Sequence, residues 1–503
     1  MPQKLVLLIG WLYTGAALCL SVFGLNLLVL SFLTLFHRRR QGTGCAGPQD
    51  PGRLPEPLPV VTVQLPLYNE PQVSARLIDA VAQLDYPLHC LQIQILDDST
   101  DATRAIVDQR AAFWGGRGRW IGVLRRKDRR GFKAGALRAG LERAAGEFIA
   151  IFDADFVPPP GWLRRALAPF FAPGSERTGL VQTRWTHLNE NYSLLTRVQA
   201  LALDGHFMVE QNGRHAAGLF LTFNGTAGVW RRACIEAAGN WRGETLSEDL
   251  DLSYRAQLLG WRICYRPDIT APAEIPVQMT GLKRQQFRWA KGTIQVARLL
   301  GPEVLRARLS PWRKLQGLLH LTAYSAHPLM VLLLLALLPL HLEGDFFRRT
   351  PALGLLGAAG LGAPLLYALS QALLYGGSSL PGRWLARMPF LVLLGIGIAV
   401  NNSRAVLEAL FGLSSPFERT PKTGALDRDA RQARAGGGER PGQGSAGRRK
   451  LNASAWLELL LGLYAGGAAA LLAARGEWGG AAFALLAAVG FAWVSLATIR
   501  EAR

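Results

Sequence analysis

"EFIAIFDADF", Glu147 to Phe156, is a short unbroken apolar run that closes in an Asp-x-Asp pair. It reads as a buried strand ending in a turn that carries two carboxylates. Outward from it lie similar runs: "VVTVQLP" from Val60, "LQIQIL" from Leu91, "WIGVL" from Trp120 and "GLVQTRW" from Gly179. Amphipathic stretches such as Gln72 to Leu84 and Lys133 to Ala145 separate them. Strands alternating with helices predict an α/β fold, a doubly wound and mostly parallel sheet. Ligands of such sheets collect beyond the carboxyl ends of the strands. The acidic clusters fall there: "LDDST" (Asp97, Asp98) after the run at Leu91, and Asp153 with Asp155 after the run at Phe148.

The rest of the chain has a different character. With 503 residues and 50% apolar composition, more than one structural unit is expected. Leu5 to Phe36 is apolar and is followed by "HRRR", which predicts an uncleaved membrane anchor within 1–40. Further apolar runs lie at Leu315 to Leu340, Ala352 to Tyr375, Pro389 to Val400, Ala455 to Ala474 and Gly480 to Thr498. The expected organisation is a soluble domain over 57–275, interfacial helices over 276–314 and two spans over 315–376. An interfacial helix with a basic loop follows over 383–450, and two spans over 451–503 close the chain. Crossing at 383–412 would carry the basic stretch Ser414 to Lys450 to the far side, against the positive-inside bias, so that segment is read as interfacial or re-entrant. The soluble domain and carboxyl terminus are then cytosolic on a multi-pass protein of the cell inner (plasma) membrane, in contact with membrane lipid. Ala425 to Arg448 is too polar to form a core, and the sequon at Asn452 is expected on the cytosolic side. A net charge of +20 lacks the aromatic-interleaved basic patch of nucleic-acid binders, so no nucleic acid is expected. The five cysteines have neither CxxC spacing nor a histidine partner, and are read as reduced thiols.

Several motifs carry chemistry. Asp153 and Asp155 suit a hard divalent cation, Mg2+ or Mn2+, that also holds diphosphate oxygens, although an ordinary capping turn looks similar. In "LDDST", Asp98 or Ser99 would serve equally as a helix cap. "TLSEDLDL" has the form of a helix start with Ser247 capping and Glu248 and Asp249 in the first turn; the carboxylate of Asp249 is a candidate general base. Lys133 begins a helix where a cation meets phosphate or the first aspartate pair. In "FNGTAGVWRR", Asn224 and Gly225 mark a turn before a strand where backbone can approach a sugar closely. "QQFRW" offers Gln285, the planar donor fork of Arg288 and the flat face of Trp289. A membrane-interface Arg-Trp pair is the plain alternative.

In the order "DDS", "KAGAL", "DAD", "FNGTAGVWR", "SEDLDL" and "QQFRW", roughly Val60 to Gly292, the chain resembles the processive branch of glycosyltransferase family 2. That branch includes cellulose synthase, hyaluronan synthase and the cellulose synthase-like A and C proteins, and the last group is the nearest in its motifs. The resemblance implies a GT-A type domain and an inverting hexosyl transfer from a nucleotide sugar, GDP-mannose or UDP-glucose. The product would be a growing mannan, glucomannan or glucan. It implies that Asp97 and Asp98 contact the nucleotide and that Asp153 and Asp155 hold diphosphate and metal. Asp249 would be the base, with Lys133, Glu248, Gln285, Arg288 and Trp289 on the donor and Asn224, Gly225 and Trp289 on the acceptor. "FERTPKTG" (Phe417 to Gly424) is similar to the loop that covers the donor in cellulose synthase. One departure is Ser247 where the family has threonine. The rival reading is transfer of a single sugar to a glycolipid acceptor, as in ceramide glucosyltransferase-like enzymes. A binding subunit with a degenerate catalytic fold would lack carboxylates, and none is missing. Accessory export subunits are compatible with either enzyme.

Overall fold

The computed structural model describes residues 2–38, 54–376, 381–415, 419–420, 422–424, 426 and 453–502. The readings made above for Arg39, Arg40, the basic stretch 427–450 and Asn452 lie outside these residues, as do parts of the "FERTPKTG" segment.

Seven strands build one sheet: β1 Val61–Leu67, β2 Leu91–Asp97, β3 Trp120–Leu124, β4 Phe148–Ile151, β5 Thr178–His187, β6 Gly228–Arg231 and β7 Arg262–Ala273. Their order is β3-β2-β1-β4-β6-β5-β7. β1, β2, β3 and β4 run parallel, as do β5 and β7, while β6 is antiparallel to both of its neighbours. The sheet is therefore mixed, though parallel pairs predominate. Because side chains alternate across a strand, β4 serves two cores. Phe148, Ala150 and Phe152 pack with Val61, Val63 and Trp162 on one face, and Ile149 and Ile151 pack with Leu137, Trp230 and Trp241 on the other. Burial on both faces explains why these strands read as continuous apolar runs.

β7 was not legible in the apolar pattern, because Arg266, Pro267 and Asp268 interrupt it. A register shift opposite Thr183 and Arg184 absorbs the interruption, and Arg184 Nε donates to the Pro267 carbonyl at 2.9 Å. The strand order reverses at β1, which lies between β2 and β4. A crevice opens beyond the carboxyl ends of strands at such a point.

Among the described residues five helices are long and apolar enough to cross a membrane: Gln3–Phe36, Pro311–Leu342, Ala352–Tyr375, Ser454–Ala474 and Trp478–Ala502. The 383–412 region forms two helices, Ala386–Gly397 and Ala399–Leu410, bent by 43° at their junction, the geometry of a broken span or a re-entrant loop. Gly397 and Gly490 let this segment lie against the last helix: a Cβ on Gly490 would come within 2.6 Å of the Leu393 carbonyl oxygen. The helix Met279–Arg306 packs along Ala399–Leu410. Among the cysteines, Cys19, Cys90 and Cys234 are free thiols. Cys264 is disulfide-bonded, a correction to the reduced-thiol expectation, since sequence spacing does not report which cysteines meet in space.

Candidate active site

The residues at the strand ends converge. Phe152 N donates to the Gln64 carbonyl at 3.2 Å and Asp153 N donates to Thr226 Oγ1 at 2.9 Å, so the turn after β4 is pinned to β1 and to the turn before β6. Asp153 and Asp155 line one cavity, Asp155 almost wholly buried.

Opposite them, the helix Phe132–Glu142 starts from Gly131 at φ +70°. A Cβ on Gly243 would meet the Gly131 Cα at 2.7 Å, so this close approach needs glycine. It delivers Lys133, whose Nζ donates to Asp153 Oδ1 at 2.6 Å and to the Gly225 carbonyl at 2.8 Å, and lies 4.0 Å from Glu248 Oε1. Gly225 has φ +82°, and a Cβ there would stand 3.0 Å from Asp249 Oδ2. The acidic helix start thus rests directly on that backbone. Asp249 Oδ1 accepts from Leu250 N at 2.8 Å. Ser247 is the N-cap residue of the helix Glu248–Leu258, but its side chain makes no cap bond. Its hydroxyl is packed against Gly292 of the helix Met279–Arg306 instead.

That second helix brings Gln285, Arg288 and Trp289 to the same cavity. Arg288 donates to Thr420 Oγ1 at 2.9 Å. Around Thr420 the chain lays two further cations into the site: Arg419 pairs with Glu70 at 3.0 Å, and Lys422 Nζ pairs with Asp155 Oδ2.

The electrostatics follow from burial among like charges. Burial first, and Glu248 next to it, push the Asp249 carboxyl up to about 7. Burial also raises Glu248, and raises Glu70 to about 7 against the pull of Arg419 and Lys422. For Lys133 burial is the largest single influence and works against the charge, yet Asp153, Glu248 and Asp249 together hold the ammonium above its ordinary value. Burial brings Arg288 below its ordinary value despite the same carboxylates.

Asp98 lines the cavity, its carboxylate gripped by Arg126 through Nε at 3.0 Å and Nη2 at 2.5 Å. Asp97 is placed elsewhere. It is buried, accepts from Arg125 Nε at 2.8 Å and from Ser99 N at 3.0 Å, and stabilises the loop instead of facing the cavity. Neither Asp98 nor Ser99 caps the next helix: Ser99 Oγ accepts from Asn69 N at 3.0 Å. Glu70, Arg126 and Glu274 were not singled out from sequence, whereas Lys422 belongs to the "FERTPKTG" segment. For Glu70 the signal available was its strand-end position in "YNEP".

The cavity, about 200 Å³, adjoins a larger one of about 490 Å³. Asn224, Ser247, Asp249, Gln285 and Trp289 line both. The larger is walled by His206, Glu210, Tyr324, Tyr367, Leu391 and Ile398, and so reaches among the membrane-type helices.

The chain is similar to known proteins over part of its length. The probable glucomannan 4-beta-mannosyltransferase 10 of Arabidopsis thaliana is 42% identical over 265 residues, 52% of this chain and 48% of that protein. The probable glucomannan 4-beta-mannosyltransferase 7 of Oryza sativa subsp. japonica is 44% identical over 254 residues, 50% of this chain and 43% of that one. The chain spans about half the length of the curated relatives it matches. Among solved structures, the mannosyltransferase PcManGT of Pyrobaculum calidifontis, in complex with GDP-Man and Mn2+, aligns with a TM-score of 0.49 at 21% identity, over 78% of this chain and 100% of its own. Residues 58–292 match the family described as "Glycosyltransferase like family 2". Over those residues the chain carries a domain of glycosyltransferase family 2.

Proposed function

We propose that the protein is a membrane-embedded, inverting glycosyltransferase that moves a hexosyl unit from a nucleotide sugar to the end of a growing β-linked polysaccharide. The observation that carries this reading is the position of Asp249 at the junction of two cavities. One is rimmed by Lys133, Arg288 and the Asp153–Asp155 pair and suits a diphosphate; the other leads toward the membrane-type helices and suits an acceptor chain. The relatives are named for mannosyl transfer, which favours GDP-mannose over UDP-glucose as the donor.

In this reading the acceptor hydroxyl attacks the anomeric carbon while Asp249 takes its proton. A carboxyl near 7 is matched to that task at neutral pH. The bond from the anomeric carbon to the diphosphate oxygen breaks, and its electrons leave with the nucleoside diphosphate. Arg288 and Lys133 stabilise that charge, and Trp289 offers its face to the sugar at the junction. A single displacement inverts the anomeric centre.

The residues fit a divalent cation. Asp155 Oδ1 is a buried acceptor with no hydrogen-bond partner, and Asp153 stands two residues away on the same turn. Among the described residues no cluster of three metal-ligating side chains occurs, which suits a metal held by one or two carboxylates and completed by substrate phosphates. When bound, Mg2+ or Mn2+ supplies Lewis-acid stabilisation of the leaving diphosphate. Asp153 and Asp155 would hold it, with Lys422 leaving Asp155 Oδ2.

We read the family 2 domain as cytosolic, with the glycan leaving through the membrane helices. The larger cavity has a mostly apolar lining in which His206, Glu210, Gln286, Thr293, Tyr324 and Tyr367 supply hydrogen-bonding positions for a saccharide. The test is transfer by the purified protein from labelled GDP-mannose and UDP-glucose. A ladder of products supports polymer synthesis and a single lipid-linked sugar supports the rival. Asp249→Asn should abolish transfer and keep donor binding; undiminished transfer would refute the base.

A further inference from the structure

Between the helices Leu194–Gly205 and Gln211–Ala216 the chain makes one π-helical turn, His206–Glu210. Such single turns are rare and recur at functional sites. This one places two side chains of the larger cavity, His206 and Glu210, into a short chain of polar contacts. Glu210 Oε2 lies 3.5 Å from His206 Nδ1, and His206 Nε2 lies 3.1 Å from Asn224 Oδ1. Its neighbour Gln211 fixes the polarity of the amide. Gln211 Nε2 faces the Thr222 carbonyl at 3.4 Å, and so must be a donor, and it also lies 3.4 Å from Asn224 Oδ1. The atom of Asn224 turned to the Gln211 donor is therefore the oxygen. Gln211 Nε2 also lies 3.4 Å from His206 Nε2, and the shorter 3.1 Å contact of His206 Nε2 with Asn224 Oδ1 is a hydrogen bond in the tautomer that carries the proton on Nε2.

The backbone of Asn224 is held as well, its N donating to Gln182 Oε1 at 3.0 Å. What remains is Asn224 Nδ2, a buried donor with no partner, on a residue that lines both cavities. A buried donor left unmade costs roughly 1–3 kcal/mol. A fold that holds the amide oxygen with two side chains and the backbone with a third, and leaves this one donor unmet, has placed it for a ligand atom. On its other side the His206 ring faces Glu210, whose carboxyl burial alone would raise but which His206 holds below the usual carboxylate range.

We infer that Glu210 and His206 are positioning residues that lock the Asn224 amide with its N–H donor presented to an oxygen of the acceptor saccharide, next to Asp249. The inference rests on the reading of the larger cavity as the acceptor's path. Neither His206 nor Glu210 exchanges a proton with substrate. Their contribution is to hold one rotamer, so that the acceptor's terminal sugar docks with its nucleophilic hydroxyl toward the base.

The experiment uses the full-length protein in detergent with Mg2+. GDP-mannose with β-1,4-mannotetraose and UDP-glucose with cellotetraose are the two donor and acceptor pairs. Initial rates are measured for wild type, Asn224→Asp, His206→Ala, His206→Gln and Glu210→Ala, and donor binding is measured separately. The expectation is that Asn224→Asp, which keeps the shape and removes the donor, raises the acceptor KM about tenfold, the worth of one hydrogen bond near 1.4 kcal/mol. That rise exceeds any fall in kcat, and donor affinity is kept. His206→Ala and Glu210→Ala follow the same pattern. His206→Gln, whose amide nitrogen replaces Nε2 as donor, recovers most of the loss. The double variant His206→Ala/Asn224→Asp is no worse than the single ones. An unchanged acceptor KM, a His206→Gln as impaired as His206→Ala, or losses that add in the double variant would overturn the relay while leaving the glycosyltransferase intact. A wild-type protein that consumes neither sugar nucleotide would sink the reading of the activity itself. Should His206→Ala lose donor binding as well, Asn224→Asp and His206→Gln decide the question alone.

Discussion

The carboxylate of Glu501 caps the helix that bears Thr280. It accepts from Met279 N at 2.6 Å, from Thr280 N at 2.9 Å and from Thr280 Oγ1 at 2.8 Å. The last membrane-type helix thereby holds the start of the helix that carries Gln285, Arg288 and Trp289. Unpaired N–H groups and the positive end of a helix dipole favour an anion there. Glu501→Ala is expected to destabilise the protein by about 1–2 kcal/mol, read as a lower melting temperature, and to lower transfer further by loosening Arg288. Unchanged melting and unchanged activity would show the cap to be idle.

The same helix is tied a second time, by Lys283 Nζ to Glu458 Oε1 at 2.8 Å, both side chains buried. Removing one partner leaves an uncompensated buried charge, at a cost of about 3–5 kcal/mol. Glu458→Leu alone should therefore melt much earlier than wild type. The double variant Lys283→Met/Glu458→Leu should recover most of that loss, as apolar replacements of buried pairs often do. A double variant as unstable as the single one would show that the pair contributes more than charge compensation.

At pH values below about 7 Asp249 is protonated and cannot accept the acceptor's proton, so the rate should fall about tenfold per pH unit on the acid side. A cation in the neighbouring cavity can only lower that carboxyl, so the limb lies at or below about 7. Stability runs the other way. The folded protein keeps protons on Asp249 and Glu70 that the unfolded chain gives up near 3.8 and 4.5. Their contribution is complete below those values and is lost as pH rises through about 7. Asp249→Asn should accordingly melt later than wild type at alkaline pH, while being inactive. Equal melting of the two at every pH would contradict the raised carboxyl.

Gly292 faces the Ser247 backbone N so closely that an added Cβ would stand 2.8 Å from it. Backbone cannot rotate away as a side chain can. Gly292→Ala should push the helix of Arg288 and Trp289 off the helix start that carries Asp249, costing about 1–3 kcal/mol of stability. The loss of kcat should be larger than the loss of folded protein. A variant with wild-type kcat would show that the spacing of these two helices is not critical.

Chelation should abolish transfer, with added Mg2+ or Mn2+ restoring it. Asp155→Asn should raise the cation concentration needed for half-maximal rate, since a neutral amide is the weaker ligand for a hard cation. Full activity in excess chelator would remove the metal from the mechanism.

The strands that lie in the middle of the sheet were legible because burial on both faces writes continuous apolar runs. β7 was not, for its Arg266–Pro267–Asp268 interruption is absorbed by a register shift that no local pattern announces. Within the site, Asp98, Lys133, Asp153, Asp155, Glu248, Asp249, Gln285, Arg288 and Trp289 line one cavity. Asp97, equally prominent in the sequence, is turned inward by Arg125. Two adjacent aspartates look alike in a string of letters. The arginine each one meets comes from residues 125 and 126, and alternation along the chain sends that pair to opposite sides.

By itself the sequence determined the classes of structure: an α/β sheet with acidic strand ends, and apolar helices of membrane-spanning length. Those follow from periodicity and composition, which are local. Only the tertiary structure decided which charges meet. It set Lys422 on Asp155 and Glu501 on the helix of Arg288, and it left the Asn224 donor unmade between two cavities. Such pairings join residues separated by up to hundreds of positions, and they are fixed by packing of whole elements, which no local window of sequence contains.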